Sequence, residues 1–215
     1  MKTAILVPVK NPTRAKIRMS PILSTEERSR LAGAMLDDLI RSLKPLNTRV
    51  VLVTDSEPAA KTARSLGWKV WWETSQISES ASVDEASRQL AREKTGAVLR
   101  LPADIPLVEA EDIRQLLDFS LGARSALLVP SWDRLGTNAV LRKPPDLFPS
   151  RFGYNSFVLH TQEGLRAGAK VHVLENPHIA LDLDDAGDIL RFLARETDTA
   201  TGRLLADLKV REGLG

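Results

Sequence analysis

The chain has 215 residues, enough to bury one sizeable α/β core, and we expect a single domain spanning residues 1–215. It contains no cysteine, which excludes disulfides and thiolate metal sites and leaves oxygen or imidazole ligands for any metal. Thirty basic residues against twenty-eight acids give a net charge of +2, too balanced to indicate nucleic-acid binding. A strand pattern begins at once and no long apolar segment follows, so we expect a cytoplasmic protein without a membrane segment.

Short apolar segments alternate with helical patterns, which predicts an α/β fold. A capping box formed by Ser24 and Glu27 opens the first predicted helix, which ends before Pro45. Strands are predicted at residues 4–9, 50–54, 70–72, 97–101, 126–130, 139–141, 158–160 and 171–174. Further helices are predicted at 58–66, 83–94, 109–119, 162–168, 186–194 and 197–208, with a surface loop at 74–82.

Asp104 follows the apolar segment at 97–101, which is short, bounded by Gly and Pro, and typical of a buried parallel strand. Open parallel sheets bind ligands beyond the carboxyl ends of their strands, so an acid there is a candidate metal ligand. Asp104 would alternatively cap the next helix. Pro106 intervenes, however, and the acidic helix start comes only at Glu109, which favours a functional role.

A segment with four cations follows the first strand at residues 10–18. Lys10, Lys16 and Arg18 are suited to neutralise a polyphosphate, because Arg offers a planar fork and Lys a mobile point charge. The glycines and the Gly-Lys-Ser/Thr ending of a Walker loop are absent. Taken alone, the segment is equally consistent with a solvated basic loop.

Acids are dense at residues 181–185, which the pattern predicts to be the end of a strand. Alternation along a strand places Asp182 and Asp184 on one side and the leucines on the other. Adjacent carboxylates repel unless a cation lies between them, and with Asp104 they would form an all-oxygen site suited to Mg²⁺. Asp185 and Asp188 are interpreted as the cap and first turn of the next helix.

Two loops rich in glycine and hydroxyl side chains occur at residues 134–138 and 151–157. Glycine permits close backbone approach and hydroxyls donate to oxyanions, so these loops are suited to a small phosphorylated acid, although ordinary turns use the same residues. The three histidines, His160, His172 and His178, lack metal-ligand spacing and are interpreted as structural or exposed.

Five features occur in one order along the chain. They are Val-Pro-Val-Lys at 7–10 with Ala-Lys-Ile-Arg at 15–18, Leu-Pro-Ala-Asp-Ile-Pro-Leu at 101–107, Gly-Thr-Asn at 136–138, Phe-Gly-Tyr-Asn-Ser-Phe at 152–157 with His160, and Ala-Leu-Asp-Leu-Asp at 180–184. Together they resemble the 2-phospho-L-lactate guanylyltransferase family over nearly the whole chain. The resemblance implies a Rossmann-like nucleotidyltransferase fold, a mostly parallel mixed sheet with helices on both faces. It also implies transfer of GMP from GTP to 2-phospholactate, phosphoenolpyruvate or 3-phosphoglycerate, in the biosynthesis of the deazaflavin coenzyme F-420.

The resemblance also implies roles for individual residues. Asp104, Asp182 and Asp184 would hold Mg²⁺ and, with Lys16, form the catalytic set. Lys10, Lys16 and Arg18 would bind the nucleotide. The acceptor would be bound by Thr137, Gly153 and Ser156. Where the family usually has Gly-Leu-Asn near the base pocket, this chain has Ser-Val-Asp at 82–84, and the Asp84 carboxylate would accept from guanine N1 and N2. A downstream coenzyme-assembly transferase is an expected partner.

This chemistry needs no nucleophilic side chain, because the phosphate of the acceptor can attack the α-phosphorus directly while the protein aligns it and neutralises charge. Two alternatives remain open. One is another nucleotidyltransferase, of the molybdenum-cofactor or sugar-phosphate type, although the Gly-rich first loop of those enzymes is missing here. The other is a nucleotide-binding module on the same fold that has lost catalysis, against which the three candidate metal acids argue.

Overall fold

The computed structural model describes residues 2–11, 16–73 and 78–210. In those ranges seven strands form one sheet in the order β3-β2-β1-β4-β6-β5-β7. The strands β1, β2, β3 and β4 run parallel, β6 runs antiparallel to both β4 and β5, and β7 is parallel to β5. The strands are β1 Thr3–Val9, β2 Arg49–Thr54, β3 Lys69–Trp72, β4 Ala97–Arg100, β5 Ser125–Pro130, β6 Thr137–Lys143 and β7 Lys170–Val173.

Helices cover both faces of this sheet, which confirms the predicted α/β class. They are α1 Thr25–Leu43, α2 Glu57–Ser65, α3 Glu79–Arg92, α4 Ala110–Leu117, α5 Ser156–Arg166, α6 Ala186–Leu193 and α7 Ala200–Asp207. Because successive strand residues face opposite sides, Ile5 and Val7 pack with α1, α2 and α4, whereas Ala4 and Leu6 pack with α3. Helix α5 covers β5 and β6 on the α3 side, and α6 and α7 pack beside α1. Among the described helices, none is both long and apolar enough to cross a membrane.

Helix α1 begins as predicted. The Ser24 side chain accepts the backbone N–H of Glu27 at 3.3 Å, and the Glu27 carboxylate accepts the backbone N–H of Ser24 at 2.8 Å. Both bonds satisfy donors that the first turn of a helix cannot pair internally. A 3₁₀ turn, Ile17–Met19, precedes this helix and buries Met19, which anchors the chain just after Lys16.

The strand predicted at 158–160 is wrong, because those residues lie within α5. A three-residue apolar segment does not distinguish a strand from a buried helix. The buried side of α5 consists of Ser156, His160 and Gly164, spaced four residues apart as on one helix face. Because the residues on that buried face are not large apolar ones, the apolar pattern of the sequence does not show the helical period.

Residues 181–185 do not form the predicted strand, because no ladder partner pairs with them. The predicted alternation nevertheless holds, since Leu181 and Leu183 are buried, whereas Asp182 and Asp184 are half-buried and line a cavity. Tertiary contacts keep the segment extended, including the bond from the Leu183 N–H to the Asp104 carbonyl at 3.0 Å.

Helix α3 begins at Glu79, four residues before the predicted start, so the surface loop predicted at 74–82 is wrong from residue 79 onward. The Ser78 side chain caps the helix by accepting the N–H of Ala81 at 3.2 Å. Polar residues in the first turn masked this start, because Ser80 and Ser82 interrupt the apolar pattern. Residues 74–77 of that predicted loop lie outside the described residues.

Candidate active site

A cavity of about 690 Å³ opens beyond the carboxyl ends of β1 and β4. This is the edge at which open parallel sheets bind ligands, and the volume suits a small molecule. Predicted site residues that line it are Lys10, Arg18, Asp104, Thr137, Gly153, Ser156, Asp182 and Asp184. A cleft of about 760 Å³ lies at the opposite edge, by Lys2, Arg49 and Arg114, and contains none of the predicted site residues. We therefore assign the site to the former cavity.

The ammonium of Lys16 joins two of the predicted acids. Its Nζ lies 2.5 Å from Asp104 Oδ2 and 3.1 Å from Asp184 Oδ1, and the side chain is only 7% exposed. Burial would lower the pKa of Lys16, but the two carboxylates outweigh burial and hold that pKa above its ordinary value. Arg18 contacts the second oxygen of Asp184 at 3.1 Å. The predicted basic segment therefore supplies two cations to the acids, while its residues 12–15 lie outside the described chain.

The backbone of Lys16 has φ +54°, in the left-handed region that a residue with a side chain seldom adopts. Such conformations persist only where surrounding contacts enforce them, and they cluster at functional sites. Here the two carboxylates anchor the side chain and the buried Met19 anchors the turn that follows. The strained backbone therefore serves to aim the ammonium at the acids.

Asp182 lies close enough to Asp104 to feel its charge. Burial, and secondarily the charge of Asp104, raise the pKa of Asp182 to about 6. Asn138 opposes this shift, because its Nδ2 donates to Asp182 Oδ1 at 3.0 Å and also contacts the carbonyls of Ile179 and Ala180. At Asp104 burial also acts to raise the pKa, but the charge of Lys16 wins and lowers it. The site thus holds more negative charge than Lys16 alone compensates.

The three aspartates offer only oxygen ligands, the donors that Mg²⁺ prefers. Within the described ranges, no group of three or more acid, His or Cys side chains is gathered closely enough to hold a metal ion. The ammonium of Lys16 instead compensates Asp104 and Asp184. Asp182 is held by the neutral amide of Asn138 and forms no ion pair with another described residue, so its carboxylate is the one that a bound cation would compensate.

A chain of hydrogen bonds orients the hydroxyl of Thr137, which also lines the cavity. The Arg151 backbone N–H donates to His160 Nε2 at 2.8 Å, and His160 Nδ1 lies 3.0 Å from Thr137 Oγ1. Burial, with the nearby charges of Arg142, Arg100 and Arg151, lowers the pKa of His160 to about 3, so the ring is neutral. A neutral ring that accepts at Nε2 carries its proton at Nδ1, so His160 donates to Thr137.

Ser156 lies beside Thr137, with its Oγ 3.4 Å from Thr137 Oγ1. Gly153 has φ +120° and Asn155 has φ +58°, so the loop turns sharply before α5 begins at Ser156. Gly153 is suited to a conformation that side chains disfavour. The structure therefore brings Thr137, Gly153 and Ser156 together at one cavity wall, as predicted, and makes His160 a structural residue, as interpreted from the sequence.

Arg100 and Glu79 also line the cavity, and sequence reasoning missed both. Arg100 is 6% exposed and its guanidinium lies 4.1 Å from the centre of the Phe152 ring. It forms an ion pair with Glu79 and contacts the carbonyls of Thr137 and Asn138 at 3.5 and 3.3 Å. The sequence did contain a signal for Arg100, which is a charged residue within the otherwise apolar β4. A buried arginine requires a partner of opposite charge, so its presence there indicates a nearby acid.

The structure does not bring Asp84 to the cavity. Its carboxylate binds the buried Arg142 at 3.1 Å and accepts both the backbone N–H and the hydroxyl of Ser150. Helical geometry explains this placement, because Asp84 lies five residues after Glu79, which does line the cavity, and so projects from a different side of α3. We therefore assign Asp84 to the packing of α3 against residues 142–150.

Comparisons with known proteins extend over nearly the whole chain. The model of the family described as "Guanylyl transferase CofC like" matches residues 3–212. A phosphoenolpyruvate guanylyltransferase from Rubrobacter xylanophilus is 37% identical over 195 residues, covering 90% of this chain and 95% of that protein. A 2-phospho-L-lactate guanylyltransferase from Methanothermobacter thermautotrophicus is 31% identical over 209 residues, covering 97% and 92%.

Solved structures share the fold at low sequence identity. A protein from Desulfovibrio desulfuricans G20 superposes with a TM-score of 0.78 at 17% identity, covering 99% of this chain and 98% of that one. A nucleotidyl transferase from Methanothermobacter gives a TM-score of 0.61 at 15% identity, covering 89% and 95%. The fold is therefore that of the nucleotidyltransferases, and the family match over nearly the whole chain shows that this protein belongs to the CofC-like guanylyl transferases.

Proposed function

We propose that this protein transfers GMP from GTP to the phosphate of a small phosphorylated three-carbon acid and releases pyrophosphate. The observation that carries this proposal is a single cavity lined both by Asp104 and Asp184, which clamp Lys16, and by the hydroxyls of Thr137 and Ser156. The first group is suited to a charged triphosphate and the second to a carboxylate. The names of the relatives supply the chemistry, and the product would be a precursor of coenzyme F-420.

The reaction forms one bond and breaks one. An oxygen of the acceptor phosphate attacks the α-phosphorus of GTP, and the bond from that phosphorus to the bridging oxygen of the β-phosphate breaks. The electron pair leaves with pyrophosphate, so no side chain is modified. Lys16 and Arg18 would neutralise charge on the phosphates, and Lys10, exposed after β1, would add a third cation.

Mg²⁺ is part of the proposal, with Asp104, Asp182 and Asp184 as its ligands. When bound, it would supply charge neutralisation to the phosphate oxygens. The all-oxygen donor set supports this assignment, as does Asp182, which is bonded to a neutral amide and forms no ion pair with another described residue. The chain's own residues would orient these acids: Asn138 holds Asp182, and Lys16 with Arg18 holds Asp184.

The acceptor would lie against Thr137, Gly153 and Ser156. Its carboxylate needs hydrogen-bond donors, and two hydroxyls beside an open glycine loop meet that need. The phosphate at its other end would then face the Lys16 cluster. Relatives are named for phosphoenolpyruvate, 2-phospho-L-lactate or 3-phospho-D-glycerate, so the acceptor within this class is decided by experiment.

The test is a pyrophosphate-release assay with GTP, Mg²⁺ and phosphoenolpyruvate, 2-phospho-L-lactate or 3-phospho-D-glycerate. We expect release with GTP and at least one acid, and its loss in Asp104→Asn, Asp182→Asn and Asp184→Asn with folding preserved. Asp198→Asn is the matched control, because Asp198 is exposed, pairs with Arg203 and lies outside the cavity. Absence of release with every acid would refute the proposal, and full activity in an aspartate variant would remove that residue from the site.

A further inference from the structure

We propose that Glu79, held in place by Arg100, recognises the guanine base of the nucleotide. This inference rests on the proposed function, because it assigns the base-reading group within the same cavity. Glu79 lies in the first turn of α3 and lines the cavity, with its side chain 20% exposed. It is therefore a carboxylate that a ligand in the cavity can reach.

The other acids along the cavity stabilise local turns or the cation cluster. Asp133 accepts the Ser131 hydroxyl and the Leu135 N–H. Asp185 and Asp188 accept backbone N–H groups at the start of α6. Asp104 and Asp184 bind Lys16, and Asp182 binds Asn138. Asp84, on the same helix as Glu79, is half-buried and binds Arg142 and Ser150. Glu79 differs from these acids because its partner is a buried arginine of another element, β4, and not a group in its own turn or helix start.

Arg100 gives this carboxylate a fixed orientation. Its guanidinium is buried, lies over the Phe152 ring and contacts two β6 carbonyls, so it has little freedom to move. It donates to Oε1 of Glu79, and no donor among the described residues lies on Oε2. A carboxylate has about four acceptor positions on its two oxygens, so Glu79 keeps capacity for a ligand. Preorganised acceptors lose less entropy on binding.

Guanine presents two adjacent donors, N1–H and the N2 amino group, that match the two oxygens of one carboxylate. Adenine presents an unprotonated N1 at the corresponding place, and its lone pair would face the negative charge. A carboxylate therefore attracts guanine and rejects adenine. Hypoxanthine, the base of inosine triphosphate, keeps N1–H and lacks the N2 amino group. The difference in affinity between GTP and inosine triphosphate therefore measures the hydrogen bond from the N2 amino group.

The experiment measures dissociation constants of GTP, inosine triphosphate and ATP by calorimetry in buffer with Mg²⁺, for the wild-type chain, Glu79→Gln and Glu79→Ala. We expect the variants to lose about ten- to a hundredfold in GTP affinity, less for inosine triphosphate, and little for ATP. The preference for GTP over inosine triphosphate should largely disappear. The matched control is Glu57→Gln, another first-turn glutamate paired with an arginine, which lies outside the cavity.

Thermal unfolding of each variant separates loss of recognition from loss of folding, and Glu79→Asp keeps the charge if the larger changes prove unstable. An unchanged ratio of GTP to inosine triphosphate affinity in folded variants would overturn the inference while leaving guanylyl transfer intact. A rise in acceptor KM with normal GTP affinity would also overturn it, because Glu79 would then belong to the acceptor wall. Absence of GTP binding by the wild-type chain would instead refute the proposed function.

Discussion

The carboxylate of Asp188 accepts the backbone N–H of Asp184 at 3.0 Å through Oδ2. The same oxygen accepts the Asp185 N–H at 3.1 Å, while Oδ1 lies 3.3 Å from the indole nitrogen of Trp132. Asp188 also completes the capping box of α6 with Asp185, which confirms the helix-start role interpreted from the sequence. It therefore links the start of α6 to the position of a cavity acid.

Asp188→Asn should lower both stability and turnover. An amide has one oxygen in place of two, so either the backbone N–H groups or the Trp132 indole loses its acceptor, at a cost of about 1–2 kcal/mol in the free energy of unfolding. A small displacement of Asp184 should reduce kcat by roughly ten- to a hundredfold. Chemical denaturation and steady-state kinetics measure the two effects. Glu27→Gln alters the capping box of α1, whose residues do not line the cavity, and should change stability alone.

Thr137→Ala and Ser156→Ala should weaken use of the acceptor more than binding of GTP. Each removes a hydroxyl suited to bond the acceptor's carboxylate, and one hydrogen bond to a charged group contributes about 1.5–3 kcal/mol, or roughly ten- to a hundredfold in kcat/KM for the acceptor. Thr137→Ser restores the hydroxyl and should recover most of the loss. If instead both alanine variants bound the acceptor normally but lost GTP affinity, the assignments of the two subsites would have to be exchanged.

His160→Asn should flatten the dependence of stability on pH below about 6. In the wild-type chain the pKa of His160 falls from its ordinary 6.5 in the unfolded state to about 3 in the folded state. Between those values only the unfolded chain takes up this proton, so the free energy of unfolding falls as pH falls, by up to about 1.4 kcal/mol per pH unit.

Asp182 has the opposite effect on the free energy of unfolding, because its pKa is raised from 3.8 to about 6 in the folded chain. Between those pH values the folded chain binds the extra proton, so this contribution to stability rises as pH falls. The informative quantity is therefore the difference between wild type and variant, in which Asp182 and all other shared groups cancel. Urea denaturation at several pH values between about 4 and 7 measures it. Parallel curves for the two proteins would show that His160 does not remain neutral in the folded chain.

Strand and helix order was largely predictable from the sequence, because local pattern and capping are encoded by adjacent residues. The Ser24 and Glu27 capping box and the apolar period of α1 are examples. The two failures have different causes. Helix α5 buries a polar face of Ser156 and His160, so it lacks an apolar helical period. Residues 181–185 show the alternation of a strand, but contacts distant in sequence keep them extended and no strand pairs with them.

Candidate site residues were predictable where they follow strands, since parallel strands deliver their carboxyl-end residues to one edge. Asp104 reaches the cavity because it follows the carboxyl end of β4. Thr137, at the start of the antiparallel β6, and Asp182, in an extended segment, reach the same cavity from beside that edge. The nucleotide-binding role predicted for Asp84 was wrong, because its side chain binds Arg142 and does not line the cavity. The position of an acid in the sequence indicates the helix that carries it, but not the side of that helix that faces the ligand.

Sequence alone thus determined the α/β class, the family and the acids at the sheet edge, because these depend on residue type, period and order. The tertiary structure alone decided which charges pair: Lys16 with Asp104 and Asp184, Arg142 with Asp84, and Arg100 with Glu79. These partners are between 21 and 168 residues apart along the chain. Their pairing follows from the crossover of strands and the packing of helices, since a buried charge is tolerated only where the fold brings its counter-charge within reach.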